Sequence, residues 1–96
     1  MPGIVRDGDV STADPCGAPP RPASSFSPNV FVNGQAAVRE GDTWVEHACP
    51  KSSPHGAVSV GCSGTVFINS KGVFRKGDGI SCGSSGDACS SNVFAN

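Results

Sequence analysis

The sequence predicts a small all-β fold: a conical prism of short β-hairpins with pseudo-threefold symmetry, long Gly/Pro/Ser loops, and little or no helix. The first observation is a phrase, Asn-Val-Phe-x-Asn, followed after five residues by Arg-x-Gly-Asp. It runs from Asn29 to Asp42 and, with Thr in first place, from Thr65 to Asp78. The second observation is that a third copy is split between Asn92–Asn96 and Arg6–Asp9, again with five residues between them. A spacer that persists from the last residue round to the first predicts a closed ring of three units.

Composition sets the size and class of this fold. The 96 residues suffice for one domain, 1–96, and 13 Gly and 8 Pro without a long helical period indicate short strands and tight turns. Apolar residues make up only 36%, so a metal or disulfides are expected to support a thin core. No signal peptide or membrane span is recognised, which favours a reducing cytoplasm where five cysteines serve as metal ligands or free thiols. A net charge of −1, spread along the chain, gives no reason to expect nucleic-acid binding.

Each unit is predicted to contain an outgoing strand, a turn and a return strand. The alternation of apolar residues with Asn-Gly and related turn residues supports this pattern. In chain order the predicted strands are Gly3–Arg6, Asn29–Asn33, Ala36–Arg39, Thr65–Asn69, Val73–Arg75 and Asn92–Ala95, with the last pairing with the first, and the hairpin turns are Asn33-Gly34 and Ser70-Lys71-Gly72. The segments between units, Ser11–Pro28, Thr43–Val60 and Gly79–Ser91, are predicted to be loop excursions.

Both faces of these strands are apolar. Successive side chains of a strand point to opposite faces, so one set fills the core and the other forms an apolar floor. The sequence leaves open which set is inside. One set is Val30, Val66, Val93, Val32, Ile68 and Ala95, and the other is Phe31, Phe67 and Phe94.

The excursions carry candidate metal ligands. Each excursion leaves an Arg-x-Gly-Asp turn, and Cys16, His47 and Cys82 follow at similar distances. Three loops around one axis meet at one end of it, and His55 on the longest loop supplies a fourth donor. A Cys₂His₂ set suits tetrahedral Zn²⁺ with all positions filled, which predicts a structural rather than a hydrolytic zinc.

Other residues compete for roles at this site. Cys49 lies between the two histidines and is an alternative ligand. Cys62 is interpreted as a small buried residue, and Cys89 either pairs with Cys62 or has no partner; neither has a counterpart in the repeat register. The Arg-x-Gly-Asp motifs are interpreted as turns with a structural Arg–Asp contact rather than as adhesion motifs.

A catalytic role is not favoured by the sequence. A nucleophile pair of Cys82 or Cys49 with His47 is conceivable. No orienting acid occurs at a suggestive spacing, and so small a prism is expected to leave little room for a substrate cleft. The chain is therefore predicted not to be an enzyme and to bind no small-molecule substrate.

The repeated phrases resemble those of the PAAR-repeat proteins over essentially the whole chain. The residues that carry the resemblance are Pro28–Gly34, Val38–Asp42, their second copy through Asp78, and Ser81-Cys82-Gly83. Cys16–Pro22 and Ser91–Asn96 are most similar to the phage branch of that family.

The resemblance implies a small β-cone that caps the trimeric β-helical spike of a contractile injection system, one tip per trimer. It also implies a zinc near the apex, held here by Cys16, His47, His55 and Cys82, although the family more often has His at the position of Cys16. We expect a virion protein of a phage tail baseplate, made in the host cytoplasm, that helps to pierce the target outer membrane. The alternative is a type VI secretion tip that sharpens a VgrG-type trimer, recruits effectors and is secreted from the bacterial cytoplasm. Since the ring spans residues 1–96, no effector domain is expected. A small zinc or cysteine hydrolase and a zinc-binding regulatory module are further alternatives.

Overall fold

Short strands form three separate two-stranded antiparallel sheets in the part of the chain that the structure describes. This computed structural model describes residues 2–13, 19–47 and 55–96, with the main chain alone at residues 46, 47 and 55. The molecule measures 38 × 23 × 22 Å along its principal axes. Within those ranges no helix could cross a lipid bilayer. The strands are β1 (Phe31–Val32), β2 (Gln35–Ala36), β3 (Thr43–His47), β4 (His55–Val58), β5 (Phe67–Ile68) and β6 (Lys71–Gly72).

Two of the sheets are the predicted hairpins, but β2 and β6 begin one and two residues before the predicted return strands Ala36–Arg39 and Val73–Arg75. In the first, Asn33 and Gly34 have φ angles of 54° and 79°, the two positive values of a type I′ turn, as predicted. In the second, the turn is Asn69-Ser70, with φ angles of 54° and 67°. The predicted turn Ser70-Lys71-Gly72 is therefore wrong by one position. Pairing of Ile68 with Lys71 leaves only two residues for the loop, so Ser70 occupies the place that Gly34 has in the first hairpin.

The return segments leave their hairpins and pair with one another around an axis. The amide of Val38 donates to the carbonyl of Val5 at 3.1 Å, that of Val5 to Phe74 at 3.1 Å, and that of Phe74 to Val38 at 2.9 Å. These three fully buried residues, which we call the central ring, each immediately precede the Arg of an Arg-x-Gly-Asp turn. Three equivalent segments thus close a cycle of main-chain hydrogen bonds, which confirms the pseudo-threefold fold class.

The two ends of the chain complete the third unit together. Gly3 bridges Phe94 in antiparallel fashion, and the Ala95 amide donates to the Pro2 carbonyl at 3.0 Å. The amide of Ile4 donates to Val93 at 3.1 Å. The last strand therefore pairs with the first, as the split repeat predicted.

The core consists of two clusters of buried residues. The hairpin cluster, formed by hairpin strands and the segments that pair next to them, contains Ile4, Val32, Ala37, Ile68, Val73 and Ala95, with Val30, Val66 and Val93 packed against it. The central cluster contains the central ring with Ala23, Trp44, Ala57 and Ile80. The question of which strand face is inside is thereby answered. Val32, Ile68 and Ala95 are buried and Val30, Val66 and Val93 are partly buried, whereas the three Phe side chains, Phe31, Phe67 and Phe94, are exposed.

The third sheet, β3–β4, lies in a segment that the sequence analysis assigned to a loop. The prediction that Thr43–Val60 is an excursion without strands is wrong, because this is the longest sheet among the described residues. Trp44 anchors it: the indole is 4% exposed and its Nε1 donates to Ser59 Oγ at 2.8 Å. Its ring meets Phe74 edge to face, with centroids 5.5 Å apart. A buried aromatic contact therefore ties this sheet to the central ring.

Candidate functional site

Each Arg-x-Gly-Asp segment is a tight turn closed by its own ion pair. Arg39 donates from Nε to Asp42 Oδ2 at 3.0 Å and from Nη2 to Oδ1 at 2.9 Å. The Arg39 amide also donates to Asp42 Oδ2, at 2.7 Å. Gly41 has φ 83°, the positive angle that the third residue of a type II turn requires. Equivalent pairs join Arg6 to Asp9 and Arg75 to Asp78. The predicted structural Arg–Asp contact is confirmed in all three turns.

The pair of the first unit is the most buried of the three. Burial of the Asp42 carboxylate opposes ionisation, but hydrogen bonds from Arg39 and from the Ser25 hydroxyl outweigh it and hold the pKa of Asp42 below its ordinary 3.8. The hydrogen bond to Asp42 in turn raises the pKa of Arg39. Both groups are therefore charged inside the fold at neutral pH.

Asparagines at the hairpin turns connect neighbouring units. Asn69 Oδ1 accepts from Ser27 Oγ at 2.7 Å and from Arg39 Nη1 at 3.1 Å. Ser27 Oγ in turn accepts from the amide of Val30 at 2.9 Å, which fixes the start of the β1 strand. The same arrangement joins Asn33, Ser90 and Arg6. In the remaining unit, Ser63 Oγ donates to the main-chain oxygen of Asn96. These contacts make the units one rigid frame for the excursions.

The two predicted histidine ligands, His47 and His55, lie opposite each other in the β3–β4 ladder. Trp44 pairs with Ala57, and the next aligned pair is His47 with His55, so two residues of β3 oppose Gly56 alone. This is a β-bulge. In an uninterrupted ladder Glu46 would stand opposite His55. The extra residue therefore brings the main chains of the two predicted ligands into register.

Cys82 lies at the edge of the central cluster. Its side chain is partly buried and packs against that cluster, with Sγ 3.4 Å from Ser84 Oγ. It lines a small cavity together with Trp44, Val45 and Ala57 of the β3–β4 sheet. The thiol is thus next to the sheet that carries both predicted histidine ligands.

The fourth predicted ligand, Cys16, and its competitor Cys49 lie outside the described residues. Ser11 and Pro19, on either side of the segment that holds Cys16, line the same small cavity as Cys82. The flanks of that segment therefore lie close to the third excursion. No group of three or more His, Cys, Asp or Glu side chains forms a metal cluster within residues 2–13, 19–47 and 55–96. The zinc set stays a prediction.

Cys62 and Cys89 occupy equivalent positions, so the statement that neither has a counterpart in the repeat register is wrong. Each immediately precedes a serine, Ser63 or Ser90, whose Oγ accepts from the start of the next strand. The signal in the sequence was the serine two residues before each Asn/Thr-Val-Phe; in the first unit Phe26 fills the position.

Cys62 is a packing group in the second unit, and Cys89 is one in the third. A Cβ on Gly72 would lie 2.5 Å from Cys62 Sγ, and one on Gly3 would lie 2.6 Å from Cys89 Sγ, so each sulfur fills the space beside a glycine. The described cysteines form no disulfide with one another. Partial burial, together with Glu40 and Asp78 nearby, raises the pKa of the Cys62 thiol, which disfavours the thiolate that a metal needs.

An open groove of about 690 Å³ runs along the β3–β4 sheet. So small a chain was predicted to leave little room for a cleft, and this groove is a departure from that prediction. Its lining consists of apolar side chains, main chain and hydroxyl groups: Ser24, Thr43, Trp44, Val45, Gly56, Ala57, Val58 and Ser81.

Comparison with known proteins identifies the family. The model of the PAAR motif matches residues 26–85, which include both complete hairpins and the β3–β4 sheet. The search of curated proteins gives no match to this chain. The matched stretch is more than half of the 96 residues, and it contains two of the three units of the ring. The chain therefore belongs to the PAAR-motif family, whose members are structural spike-tip proteins that associate with the spike trimers of contractile injection and type VI secretion systems.

Proposed function

We propose that this protein is the zinc-stabilised pointed tip of a phage-type contractile baseplate. In this role it caps the trimeric β-helical spike and helps it to pierce the envelope of the target cell. The observation that carries the proposal is the closed cycle of three equivalent segments, Val5, Val38 and Phe74, within one chain. A single chain with three like sectors presents three like contacts to a homotrimer, so one tip fits one trimer without a symmetry mismatch.

The repetition extends to the charged and polar contacts that surround the ring. Three Arg–Asp turns and the matching Asn–Ser contacts recur about the same axis. Sequence differences between the units are concentrated in the excursions, which differ in length and in their soft donors. The repeated turns and polar contacts suit a trimeric partner. The excursions differ between units, which suits an apex that is built by a single chain.

The donor chemistry of the excursions fits a structural zinc. The β-bulge aligns His47 with His55, and Cys82 packs against the same sheet. With Cys16 these residues would fill a tetrahedral Zn²⁺ site. When bound, the ion would supply only cross-links between loops. A site of this kind stabilises the folded tip because the unfolded chain has no preformed arrangement of ligands.

Metal content tests the site directly. The purified protein is expected to hold one zinc per chain, and Cys82→Ser is expected to lose most of it and to unfold at a lower temperature. Cys89→Ser is the matched control, because it removes a partly buried thiol outside the predicted set and should leave zinc unchanged. A zinc-free wild-type protein, or full zinc in Cys82→Ser, would contradict the proposed metal site.

A composition-preserving variant tests the role of the bulge. Exchanging the two residues in Glu46→His/His47→Glu keeps every donor type but moves the imidazole to the position that does not face His55. We expect zinc affinity to fall at least about tenfold, measured by competition with a chromogenic chelator. Unchanged affinity would show that the register of His47 is unimportant for the metal.

The identity of the spike separates the phage tip from its alternative. Similarity of Cys16–Pro22 and Ser91–Asn96 to the phage branch favours the baseplate. Purified terminal β-helices of a phage spike and of a VgrG-type spike from the source organism are the two probes. Preferential binding to the VgrG-type trimer would instead support a type VI tip that recruits effectors.

The piercing role is tested on assembled particles. The molecule is longer along one axis, 38 Å against 23 and 22 Å, which suits the end of a narrow spike. Particles that lack the tip, or that carry Cys82→Ser, are expected to contract normally but to release fewer periplasmic contents from target cells. Equal release by tip-less particles would argue for a role in assembly alone.

A further inference from the structure

Phe31, Phe67 and Phe94 form what we call the aromatic triad. They occupy the same position in each unit, and 59%, 60% and 46% of their surfaces are exposed. Each lies directly opposite a residue with little or no side chain: Ala36, Gly72 and Gly3. The opposing strand therefore leaves the rings uncovered.

One buried position varies between the three repeats, whereas one exposed position does not. The next residue in each strand is buried in the hairpin cluster, and it is Val32, Ile68 or Ala95 in the three units. The fold thus accepts three different sizes at a buried position. The exposed position holds Phe in all three units, although an exposed ring contributes little to the core. Binding to another molecule explains the presence of Phe in all three units better than packing within this chain does.

Another exposed apolar residue lacks this symmetry. Val60 is 54% exposed, close to the values of the triad. It lies three residues before Ser63, and the corresponding positions before Ser27 and Ser90 hold Ser24 and Asp87. Single exposed apolar residues of this kind are ordinary on protein surfaces. Only the triad therefore carries the argument for a threefold partner, and Val60 serves as a control.

We infer that the aromatic triad anchors the tip to its spike, with each Phe ring seated in the same apolar pocket on one of three identical subunits. The inference deepens the proposed function and rests on it. The occupant is a threefold homotrimer, because three identical side chains related by one axis match three identical pockets related by another. Buried aromatic anchors are the side chains that most often dominate protein interfaces. The three anchors contribute equally to the affinity.

Binding of single variants tests the inference. The probes are the terminal β-helix trimers of the phage and VgrG-type spikes, immobilised for interferometry against the full chain. Phe31→Ala, Phe67→Ala and Phe94→Ala are each expected to raise the Kd by about tenfold or more, and the three values should agree within about threefold. Val60→Ala should bind as the wild type does. Thermal unfolding of each variant checks that the fold is kept, as the exposure of the rings leads us to expect.

The outcomes separate the inference from the proposed function. If the wild-type chain binds neither trimer, the proposed cap is wrong. If it binds and the Phe variants bind equally well, only the aromatic anchors are wrong. If only one of the three Phe→Ala substitutions weakens binding, the inference that the three anchors contribute equally is wrong. If the substitutions instead abolish flotation with vesicles of outer-membrane lipid, or dissociate a dimer in sedimentation, the occupant is a bilayer or a second copy of this chain, which also overturns the inference.

Discussion

At the scale of single residues, the interior tolerates charge because each buried carboxylate faces an arginine three positions earlier. The side chains of Arg39 and Asp42 are only 10% and 3% exposed, and their hydrogen bonds form a two-pronged contact. Among the described residues, every buried side-chain nitrogen and oxygen has a hydrogen-bond partner. Such pairs are stable as pairs, and loss of one member leaves an uncompensated charge.

Asp42→Asn is expected to destabilise the fold by about 3 kcal/mol, because it leaves the buried Arg39 guanidinium without a countercharge. Asp9→Asn and Asp78→Asn are matched controls whose carboxylates are more exposed, at 10% and 13%. They should cost closer to about 1 kcal/mol each. Urea unfolding followed by circular dichroism gives the three free energies, and equal losses would contradict the ranking by burial.

The same residue predicts an acid dependence. The pKa of Asp42 in the folded protein lies below its ordinary 3.8, so the stabilisation that it provides is present above that value and is lost as the pH falls through the folded pKa. The difference in unfolding free energy between wild type and Asp42→Asn should therefore be full near neutral pH and shrink below about pH 4. Because both proteins share the same metal ligands, zinc loss in acid cancels in the difference. A difference that does not change between about pH 7 and about pH 3 would refute this assignment.

What the sequence could reveal at this scale depended on recurrence. The Arg–Asp contacts were predictable because the spacing appears three times, and a local turn satisfies it without knowledge of the rest of the chain. Cys62 and Cys89 were misjudged because the recurring feature was the following serine rather than the cysteine, which the first unit replaces by Phe26. The alignment of His47 with His55 depends on a one-residue bulge, and strand periodicity alone does not reveal such an insertion.

At the scale of the elements, the two hairpins differ in how well their turns suit the backbone. The first turn uses Asn33-Gly34, whereas the second places Ser70 at φ 67°, where a Cβ is unfavourable. The second turn was predicted too late in the chain because Gly72 was taken as a turn residue. Gly72 instead belongs to β6, where Cys62 leaves no space for a side chain.

Ser70→Gly is therefore expected to stabilise the protein by about 0.5 kcal/mol, since relief of the strained φ exceeds the added freedom of the unfolded chain. Ser91→Gly is the control, because Ser91 is also exposed but its φ is not positive. That change should be neutral or destabilising. Both are measured by thermal unfolding with zinc present, and an equal effect of the two substitutions would mean that backbone strain at Ser70 is not the cause.

The β3–β4 sheet was missed for a reason that is visible in its sequence. Thr43–His47 begins with Thr43, Trp44 and Val45, residue types common in strands, but it does not alternate strictly between apolar and polar residues. The prolines and candidate ligands from Cys49 to His55 then favoured interpretation of the whole segment as a loop. The sheet is held by the tertiary contact of Trp44 with Phe74. The residue pattern within Thr43–Val60 gives no information about a contact with a residue so far away in the sequence.

At the scale of the whole molecule, the ring was predictable because its evidence spans the entire chain. The five-residue spacer that continues from the last residue to the first required the ends to meet, and Ala95 does pair with Pro2. Which strand face is buried could not be predicted, because both faces are apolar and only the tertiary packing of the core decides between them.

Adjacent ends predict that the chain can be permuted. A variant that joins Asn96 to Met1 through a short Gly-Ser linker, with new ends between Ser70 and Lys71, should keep its zinc and unfold within about 1 kcal/mol of the wild type. Deletion of 92–96 should instead abolish cooperative unfolding, because it removes the buried Ala95 and the partners of Pro2 and Ile4. Urea unfolding distinguishes them. A permutant that fails to fold, or a truncated chain that unfolds as the wild type does, would count against ring closure.

The cycle through Val5, Val38 and Phe74 has a consequence for solubility. An open sheet made of so many extended segments would expose unpaired amides and carbonyls along its edge strands, and exposed edge strands can pair with further chains and form fibrils. In this layer the amide of each segment donates to one neighbour and its carbonyl accepts from the other, so no segment of the cycle is an unpaired edge. A protein rich in β-structure thereby presents no template for polymerisation at its centre.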